Sequence, residues 1–169
     1  MGKYKVLFCD LDGTLINTVS GETFPKGIWD MKFRFDVLDA IKNLAPDYVF
    51  IVSNQGGIEK GYVSYQSILH KVLYVSSCLR DYCEIRLPVR YAFCAYNDKD
   101  NKDRKPNTGM LDFFYHDYIG GNDFNKRDAL MIGDASGLPG QFSDSDKKTA
   151  ENFGIDYMDV EEFIKSIKK

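Results

Sequence analysis

Hydrophobic residues along the chain fall into short continuous runs that alternate with amphipathic stretches. The continuous runs cover residues 4–9, 48–52, 89–95, 128–132 and 155–158. The amphipathic stretches cover residues 36–44, 64–82, 108–118, 143–153 and 160–167. Short continuous runs are typical of strands buried on both faces of a parallel sheet, and apolar residues three or four positions apart are typical of helices. The alternation predicts an α/β fold with three Rossmann-like layers, in which helices cover both faces of a mostly parallel sheet.

Residues 16–35 interrupt this alternation with a long irregular connection. Such a connection is either a functional segment or a surface flap pinned by Trp29 and Phe33, and the sequence leaves both interpretations open. This connection and the one after residues 48–52 are both too short to hold a separate cap. We therefore expect a single domain over residues 1–169, without a large cap domain and with an open site.

Two acidic residues, Asp10 and Asp12, directly follow the first apolar run, and Gly13 comes next. In an extended chain alternate residues share a side, so both carboxylates are expected to face one small volume. Neighbouring carboxylates are costly unless a cation or phosphoryl chemistry requires them. An Asp-Gly turn and a calcium loop are the alternatives, but no third acidic ligand stands at calcium-loop spacing. The stretch therefore favours chemistry at the carboxyl end of the first strand, where parallel sheets bind ligands.

Three more polar segments follow apolar segments further along the chain. They are Ser53-Asn54-Gln55, Arg104-Lys105-Pro106 and Gly133-Asp134. Together with Asp10-Leu11-Asp12-Gly13-Thr14, they resemble the four ordered motifs of haloacid-dehalogenase-type (HAD) phosphohydrolases. Within that superfamily, the chain is most similar to the polynucleotide 3′-phosphatase domain of polynucleotide kinase/phosphatases. The segments that carry this likeness lie within residues 20–29, 53–58, 105–110, 133–137 and 142–146.

The resemblance implies hydrolysis of a phosphate monoester through an aspartyl-phosphate. Asp10 would be the nucleophile, while Asp12 would protonate the leaving oxygen and then take a proton from water. Ser53 would donate a hydrogen bond to a phosphoryl oxygen, and Lys105 would offset negative charge. The implied cofactor is Mg²⁺, held by the carboxylates of Asp10 and Asp134 and by the backbone carbonyl of Asp12.

The resemblance also assigns residues around the phosphate and in the last motif. The expected phosphate or substrate contacts are Gly13, Thr14, Asn54, Gln55 and Arg104. The second acidic residue of the last motif aligns with Asp146, which would orient Lys105 or an outer water, and Asp144 is the alternative. Two positions depart from the polynucleotide phosphatases, which commonly have arginine at Leu138 and an acidic residue at Gln141. These departures bear on the substrate more than on the chemistry.

Charge and composition limit the classes of partner. The formal net charge of −3 gives no global basic signature, so any contact with nucleic acid would be local. A basic track along a nucleic-acid backbone could use Arg34, Arg86, Arg90, Lys99, Lys102, Arg104 and Lys147. Acidic residues are interleaved with these cations, so a solvated surface is the default interpretation. Gly56 and Gly61 have P-loop spacing, but Tyr62 stands where the lysine is required, which predicts no kinase module.

Cysteine and histidine usage predicts a reduced protein without structural zinc. The 4 cysteines show no Cys-x-x-Cys spacing, and Cys9 and Cys94 fall inside apolar runs, where buried free thiols are expected. Only 2 histidines are present, and residues 96–103 contain no zinc ligand set such as related histidinol-phosphate and heptose-bisphosphate phosphatases carry. No apolar run is long enough for a membrane span. These features predict a cytoplasmic protein, or a nucleoplasmic one in a eukaryote, without a membrane partner.

Three functions follow as hypotheses. The first is a magnesium-dependent phosphatase of nucleic-acid 3′ ends, with a phosphorylated substrate as its partner. The second keeps the chemistry but acts on a small metabolite, such as a nucleotide, sugar or amino-alcohol phosphate. The third is a binding module without catalysis on the same scaffold. The sequence does not indicate an oligomeric state.

Overall fold

The computed structural model describes residues 4–118 and 124–167. The strands in this part of the chain are β1 (Val6–Cys9), β2 (Ile16–Thr18), β3 (Met31–Phe33), β4 (Tyr48–Asn54), β5 (Arg90–Cys94), β6 (Ala129–Gly133) and β7 (Asp156–Asp159). The helices are α1 (Phe35–Leu44), α2 (Tyr65–Cys83), α3 (Gly109–Phe113), α4 (Ser145–Phe153) and α5 (Val160–Ile167). Five strands form one parallel sheet in the order β5-β4-β1-β6-β7, and β2 pairs antiparallel with β3. The predicted α/β architecture is confirmed.

Side chains alternate between the two faces of the sheet, and each face has its own core. Leu7 and Cys9 of β1 pack into the cluster that includes residues of α1, α2 and α5. Phe8 of β1 and Phe50 of β4 pack into the second cluster, with residues of α3 and α4. Because both faces bury apolar residues, the strands read as continuous hydrophobic runs. The helices therefore lie on both faces, as predicted.

The register brings the carboxyl ends of three strands to one edge of the sheet. Cys9, the last residue of β1, lies opposite Ile51 of β4 and Ile132 of β6. The residues that follow in these strands or directly after them, Asp10, Ser53 and Asp134, are therefore neighbours at this edge. The polar motifs meet there because the strands are parallel and in register.

Residues 19–30, called the flap here, connect β2 to β3 and are organised by Asp30. Its carboxylate accepts hydrogen bonds from the backbone N–H and hydroxyl of Ser20 at 2.7 and 2.8 Å, and from the backbone N–H of Lys26 at 3.1 Å. Although burial raises the pKa of Asp30, these donors hold it below its usual value. Trp29, named in one of the two interpretations of this segment as an anchor, does not pin the flap, since it is 73% exposed. Phe33 does pack against the core, as expected.

Hydroxyl side chains at the starts of the helices make different hydrogen bonds. Ser64 caps α2, because its hydroxyl oxygen accepts from the backbone N–H of Ser67 at 3.0 Å. Thr108 precedes α3 but does not cap it, because its hydroxyl instead donates to the Asp112 carboxylate at 2.7 Å. The α-helical hydrogen bonding of α3 changes to a π-helical turn over Phe114–Tyr118. Before α4, the Ser143 hydroxyl oxygen accepts from the backbone N–H of Ser145.

The cysteines are free thiols, and Cys9 and Cys94 are buried as predicted. Burial raises the pKa of the Cys9 thiol well above its ordinary value, which keeps this group protonated and unreactive. Within residues 4–118 and 124–167, no helix combines the length and the hydrophobicity needed to cross a membrane.

Candidate active site

Lys105 joins two carboxylates at the sheet edge. Its ammonium donates to Asp10 Oδ1 at 2.7 Å and to Asp146 Oδ1 at 2.6 Å, and the lysine is only 4% exposed. Burial alone would lower the pKa of Lys105, but the two carboxylates outweigh burial and raise it above its ordinary value. The lysine therefore stays charged between the first and last motifs. The structure thus brings Asp10, Lys105 and Asp146 together.

Asp134 completes this group, which we call the Asp10 cluster: Asp10, Lys105, Asp134 and Asp146. Carboxylate oxygens of Asp10, Asp134 and Asp146 lie within 4.8 Å of one another. Burial, together with the nearby carboxylates of Asp10 and Asp146, raises the pKa of Asp134 to about 7. The single ammonium of Lys105 therefore does not balance the negative charge of the cluster.

Two glycines allow these carboxylates to approach the backbone. Gly13 has a φ of +84°, and a Cβ there would collide with the Asp134 carboxylate. A Cβ at Gly133 would collide with the Asp146 carboxylate. Asp146 is also fixed by the backbone N–H of Ala135, which donates to Oδ2 at 3.1 Å. The glycines in the first and last motifs thus provide space as well as a turn.

Asp12 has a different set of partners, which we call the Asp12 cluster: Asp12, Ser53, Gln55 and Lys71. The Gln55 side-chain amide donates to Asp12 Oδ2 and to Ser53 Oγ, both at 2.8 Å. The Lys71 ammonium lies 3.1 and 3.2 Å from the two carboxylate oxygens of Asp12. The carboxylates of Asp10 and Asp12 therefore do not share their cations, although alternation along an extended chain predicted one common volume.

Sequence reasoning missed Lys71. It lies in α2 and is buried, with 5% of its surface exposed. The sequence did contain a signal: Lys71 lies between Ile68 and Val72 on the apolar face of an amphipathic helix. Lysine is rarely buried without a partner, so that position pointed to a carboxylate nearby.

Asn54 and Arg104 stabilise loops in the structure. The Asn54 amide donates to the Lys105 carbonyl at 3.0 Å, and its oxygen accepts the Lys105 N–H at 2.9 Å. Asn54 therefore fixes the backbone that carries Lys105. The Arg104 guanidinium donates to the Tyr96 carbonyl at 2.9 Å. Direct contact of Asn54, Gln55 or Arg104 with substrate remains a prediction.

Three further expectations concern Thr14, the last motif and the basic track. Thr14 is buried, and its hydroxyl donates to Asp10 Oδ2 at 3.3 Å. Asp146 contacts Lys105, whereas Asp144 is exposed to solvent on one side and pairs with Lys148 at 2.8 Å. Arg34 donates to the Gly13 carbonyl and pairs with two carboxylates, so its role is to support the first motif. This last finding removes Arg34 from the residues expected to track a nucleic-acid backbone.

The charge of the two clusters fits a divalent cation. Among residues 4–118 and 124–167, four carboxylates (Asp10, Asp12, Asp134 and Asp146) face two ammonium groups, Lys71 and Lys105. The unbalanced charge lies in the Asp10 cluster, whose donors are hard carboxylate oxygens of the kind Mg²⁺ prefers. Asp10 and Asp134 are suited to hold such an ion. Because the Asp12 carboxylate is turned to Lys71 and Gln55, Asp12 is left with its backbone carbonyl as a donor.

A cleft of about 320 Å³ lies between Asp12-Gly13 and the flap. It is lined by Asp12, Gly13, Ile16, Asn17, Thr18, Gly21, Glu22, Thr23, Pro25 and Lys32. The cleft reaches Asp12 on the flap side, so a group bound there lies next to the Asp12 cluster.

Comparison with known sequences assigns this arrangement to a family. A family model described as "Polynucleotide kinase 3 phosphatase" matches residues 5–164. The chain is 33% identical over 163 residues to "Bifunctional polynucleotide phosphatase/kinase" of Schizosaccharomyces pombe, covering 95% of this chain and 37% of that protein. It is 29% identical over 168 residues to "Uncharacterized 20.8 kDa protein in FGF-VUBI intergenic region" of Autographa californica nuclear polyhedrosis virus, covering 95% of this chain and 85% of that protein. The chain thus spans well under half of the yeast relative and most of the viral one.

Solved structures support the same fold. The D,D-heptose 1,7-bisphosphate phosphatase of B. bronchiseptica, complexed with magnesium and phosphate, superposes with a TM-score of 0.66 at 18% identity, covering 90% of this chain and 78% of that one. A putative HAD-like phosphatase of Mesorhizobium loti gives a TM-score of 0.64 at 24% identity, covering 92% and 71%. The predicted HAD-type fold is therefore confirmed.

Proposed function

This chain belongs to the polynucleotide kinase 3 phosphatase family of phosphoric monoester hydrolases, and from that premise we propose that it is a Mg²⁺-dependent polynucleotide 3′-phosphatase acting through an aspartyl-phosphate. The observation that carries the chemistry is the Lys105 ammonium held between Asp10 and Asp146, with the Asp134 carboxylate within 4.8 Å of both. A nucleophile, a charge-neutralising cation and a cluster of metal-ligating oxygens are thereby available at one point.

Asp10 is the nucleophile in this proposal. An Asp10 carboxylate oxygen attacks phosphorus, the bond from phosphorus to the leaving oxygen breaks, and the phosphoryl group is transferred to Asp10. Water then attacks the aspartyl-phosphate and releases inorganic phosphate. Lys105 and Thr14, which both donate to the Asp10 carboxylate, keep it in one orientation for this attack. Orientation is a large part of phosphoryl-transfer catalysis.

Asp12 and Ser53 act on the other atoms of the substrate. Asp12 gives its proton to the leaving oxygen in the first step and takes one from water in the second. The Ser53 hydroxyl oxygen accepts from Gln55, so its own hydrogen can be donated to a phosphoryl oxygen. Mg²⁺ held by Asp10, Asp134 and the Asp12 carbonyl would offset the phosphate charge and orient its oxygens. The donor set and the excess negative charge of the Asp10 cluster support this cofactor.

Family membership and the similarity to the yeast protein support a nucleic-acid 3′ end as the substrate. A second candidate is a small phosphate monoester, and the cleft of about 320 Å³ beside Asp12 favours it, because a leaving group of metabolite size fits there. The presence of Asp10, Asp12, Ser53, Lys105 and Asp134 argues against a module without catalysis.

A substrate panel tests the proposal. Phosphate release is measured from one oligonucleotide sequence carrying either a 3′- or a 5′-phosphate, and from nucleotide, sugar and amino-alcohol phosphates, with Mg²⁺ and with EDTA. Selective release from the 3′-phosphorylated strand, dependent on Mg²⁺, is the expected result. Faster turnover of a small monoester than of either oligonucleotide would contradict the substrate assignment. The Asp10→Asn variant, purified in parallel, controls for contaminating phosphatase.

A further inference from the structure

Lys71 is a buried cation for which the reaction described above has no role. Its side chain extends from α2, in the layer of helices that covers one face of the sheet, and it is 5% exposed. Its neighbours in the helix, Ile68 and Val72, belong to the hydrophobic core. An ammonium group in such a position loses its hydration, and this loss is compensated only by a well-placed anion.

That anion is the carboxylate of Asp12. The Lys71 ammonium bridges its two oxygens at 3.1 and 3.2 Å, and the Gln55 amide fixes one of the same oxygens at 2.8 Å. Gln55 is held in turn by Ser53. The Asp12 side chain is therefore fixed from the helix layer by Lys71 and from the sheet edge by Gln55.

We propose that Lys71 is a positioning residue that acts through Asp12 and keeps this carboxylate aimed at the leaving-group oxygen. The inference rests on the proposed function, because it needs Asp12 to be the proton donor. A proton donor works only within hydrogen-bond reach of its target, and a freely rotating carboxylate spends much of its time elsewhere. Lys105 cannot substitute, since its ammonium is engaged by Asp10 and Asp146.

The same contacts serve both proton transfers of Asp12. When the bond from phosphorus to the leaving oxygen breaks, the proton of Asp12 moves to that oxygen, and a carboxylate is left beside Lys71. In the second step this carboxylate takes a proton from the attacking water, while the bond between phosphorus and Asp10 breaks. Lys71 and Gln55 hold the carboxylate in the same place throughout both transfers.

This role predicts that the leaving group decides how much Lys71 matters. An alkyl oxygen, such as a sugar 3′-oxygen, leaves poorly without a proton. The 4-nitrophenolate anion leaves readily without one. Loss of Lys71 should therefore slow the hydrolysis of alkyl monoesters far more than that of 4-nitrophenyl phosphate.

The experiment compares kcat and KM of the full chain with Mg²⁺ for wild type, Lys71→Met, Lys71→Arg, Asp12→Asn and the double variant Asp12→Asn/Lys71→Met. The substrates are a 3′-phosphorylated oligonucleotide, an alkyl monoester and 4-nitrophenyl phosphate. Lys71→Met should lower kcat on the alkyl substrates about 30-fold with little change in KM. This loss is a fraction of the ~10²–10⁴-fold rate increase that general acid catalysis typically supplies. The loss on 4-nitrophenyl phosphate should stay below about 3-fold, and Lys71→Arg should recover most of the activity because it keeps the charge.

Two comparisons separate positioning from a merely structural role. In the Asp12→Asn background, Lys71→Met should cause no further loss beyond about twofold, because the two residues act as one unit. Lys42→Met is the matched control, since it removes an exposed lysine that pairs with Glu84, and it should leave kcat unchanged. If Lys71→Met does not fold, Lys71→Gln carries the same comparison.

Equal losses on alkyl and 4-nitrophenyl substrates, a full additional loss in the double variant, or wild-type kcat in Lys71→Met would each overturn the inference. Wild-type activity on small monoesters but not on the 3′-phosphorylated strand overturns only the substrate proposal, and the alkyl monoester then decides the role of Lys71. No wild-type activity on any monoester overturns both.

Discussion

The two aspartates of the first motif are separated by one residue but differ in the balance of charge around them. In the Asp10 cluster, one ammonium faces three carboxylates. In the Asp12 cluster, one ammonium faces one carboxylate and a neutral amide completes the contacts. The Asp10 cluster has more negative than positive charge, which suits a metal ion and the phosphate that the metal binds. The Asp12 cluster is balanced, which suits a side chain that must be held in one orientation.

The two clusters also come from different parts of the fold. Lys105, Asp134 and Asp146 lie in loops or at a helix start beside the carboxyl ends of β1 and β6, and Asn54 fixes the Lys105 backbone. Lys71 comes from the middle of α2 and reaches Asp12 from the helix layer. Asp10 and Asp12 stand in one motif, but their partners come from different layers of the fold. The difference teaches that the layer supplying the partners can give neighbouring residues separate tasks. The following predictions test that division, beginning with the largest expected effect.

Asp10→Asn should abolish turnover on every phosphate monoester, because the amide cannot form the aspartyl-phosphate. The change also removes one of the three clustered carboxylates, so we expect the variant to fold. Phosphate release and circular dichroism with Mg²⁺ measure the two effects. An active and folded Asp10→Asn protein would refute the nucleophile assignment and remove the basis of the comparison.

Lys105→Met should lower kcat about 10³-fold and also destabilise the protein. Without the ammonium, buried carboxylates of Asp10 and Asp146 are left unpaired, and breaking a buried pair typically costs about 3–5 kcal/mol. Urea unfolding in EDTA measures the free energy of unfolding, and phosphate release measures kcat. If added Mg²⁺ does not recover part of the lost stability, the Asp10 cluster is not the metal-binding half of the site.

Asp146→Asn should lower kcat about 10- to 100-fold, because Lys105 loses one of its two anions while the amide keeps the shape of the carboxylate. Asp144→Asn is the matched control: Asp144 pairs only with Lys148 at the surface among the contacts the structure describes. Its effect on stability should stay within about 0.5 kcal/mol. Equal effects of the two substitutions would mean that the Asp146–Lys105 contact is not required for the reaction.

Much of the fold and of the Asp10 cluster could be predicted because the signals are local and strong. Continuous apolar runs mark each central strand, and strands that are parallel and in register must bring Asp10, Ser53 and Asp134 to one edge. The flap could not be read in the same way. Trp29 looked like an anchor because it is large and apolar, but the buried carboxylate of Asp30 holds the flap through backbone N–H groups instead.

Lys71, the fourth member of the Asp12 cluster, was missed in the sequence for a physical reason. A partner on a helix is placed by the packing of that helix on the sheet, and this distance is not encoded in any local spacing. Lys71 stands 59 positions after Asp12 in the chain. Asn54 illustrates the same point, because its bonds to the Lys105 backbone join positions 51 residues apart. For Lys71, the sequence signal is only a polar side chain at a helix position that otherwise belongs to the core.

The smallest predicted effect is the dependence of stability on pH and Mg²⁺. It tests the excess negative charge of the Asp10 cluster directly. The pKa of Asp134 in the folded state is raised to about 7, whereas the pKa of an aspartate in an unfolded chain is about 3.9. Between these values the folded state binds more protons than the unfolded state. The stability of the metal-free protein should therefore fall as pH rises through this window and level off above about 7.

If Asp134 is a metal ligand, Mg²⁺ should reverse this loss, because a bound cation favours its ionised carboxylate. The increase in Tm caused by Mg²⁺ should thus be small at pH 5.5 and grow up to about pH 8, with both Tm values measured by calorimetry in one buffer series. Asp134→Asn should reduce the pH dependence of the metal-free Tm, and the part that remains is expected from Asp146, whose pKa burial raises to about 6. Asp12→Asn should change that dependence little, because Asp12 pairs with Lys71 and lies outside the Asp10 cluster. A metal-induced Tm increase that is the same at all pH values would mean that the excess negative charge, and with it the distinction between the two clusters, does not govern metal binding.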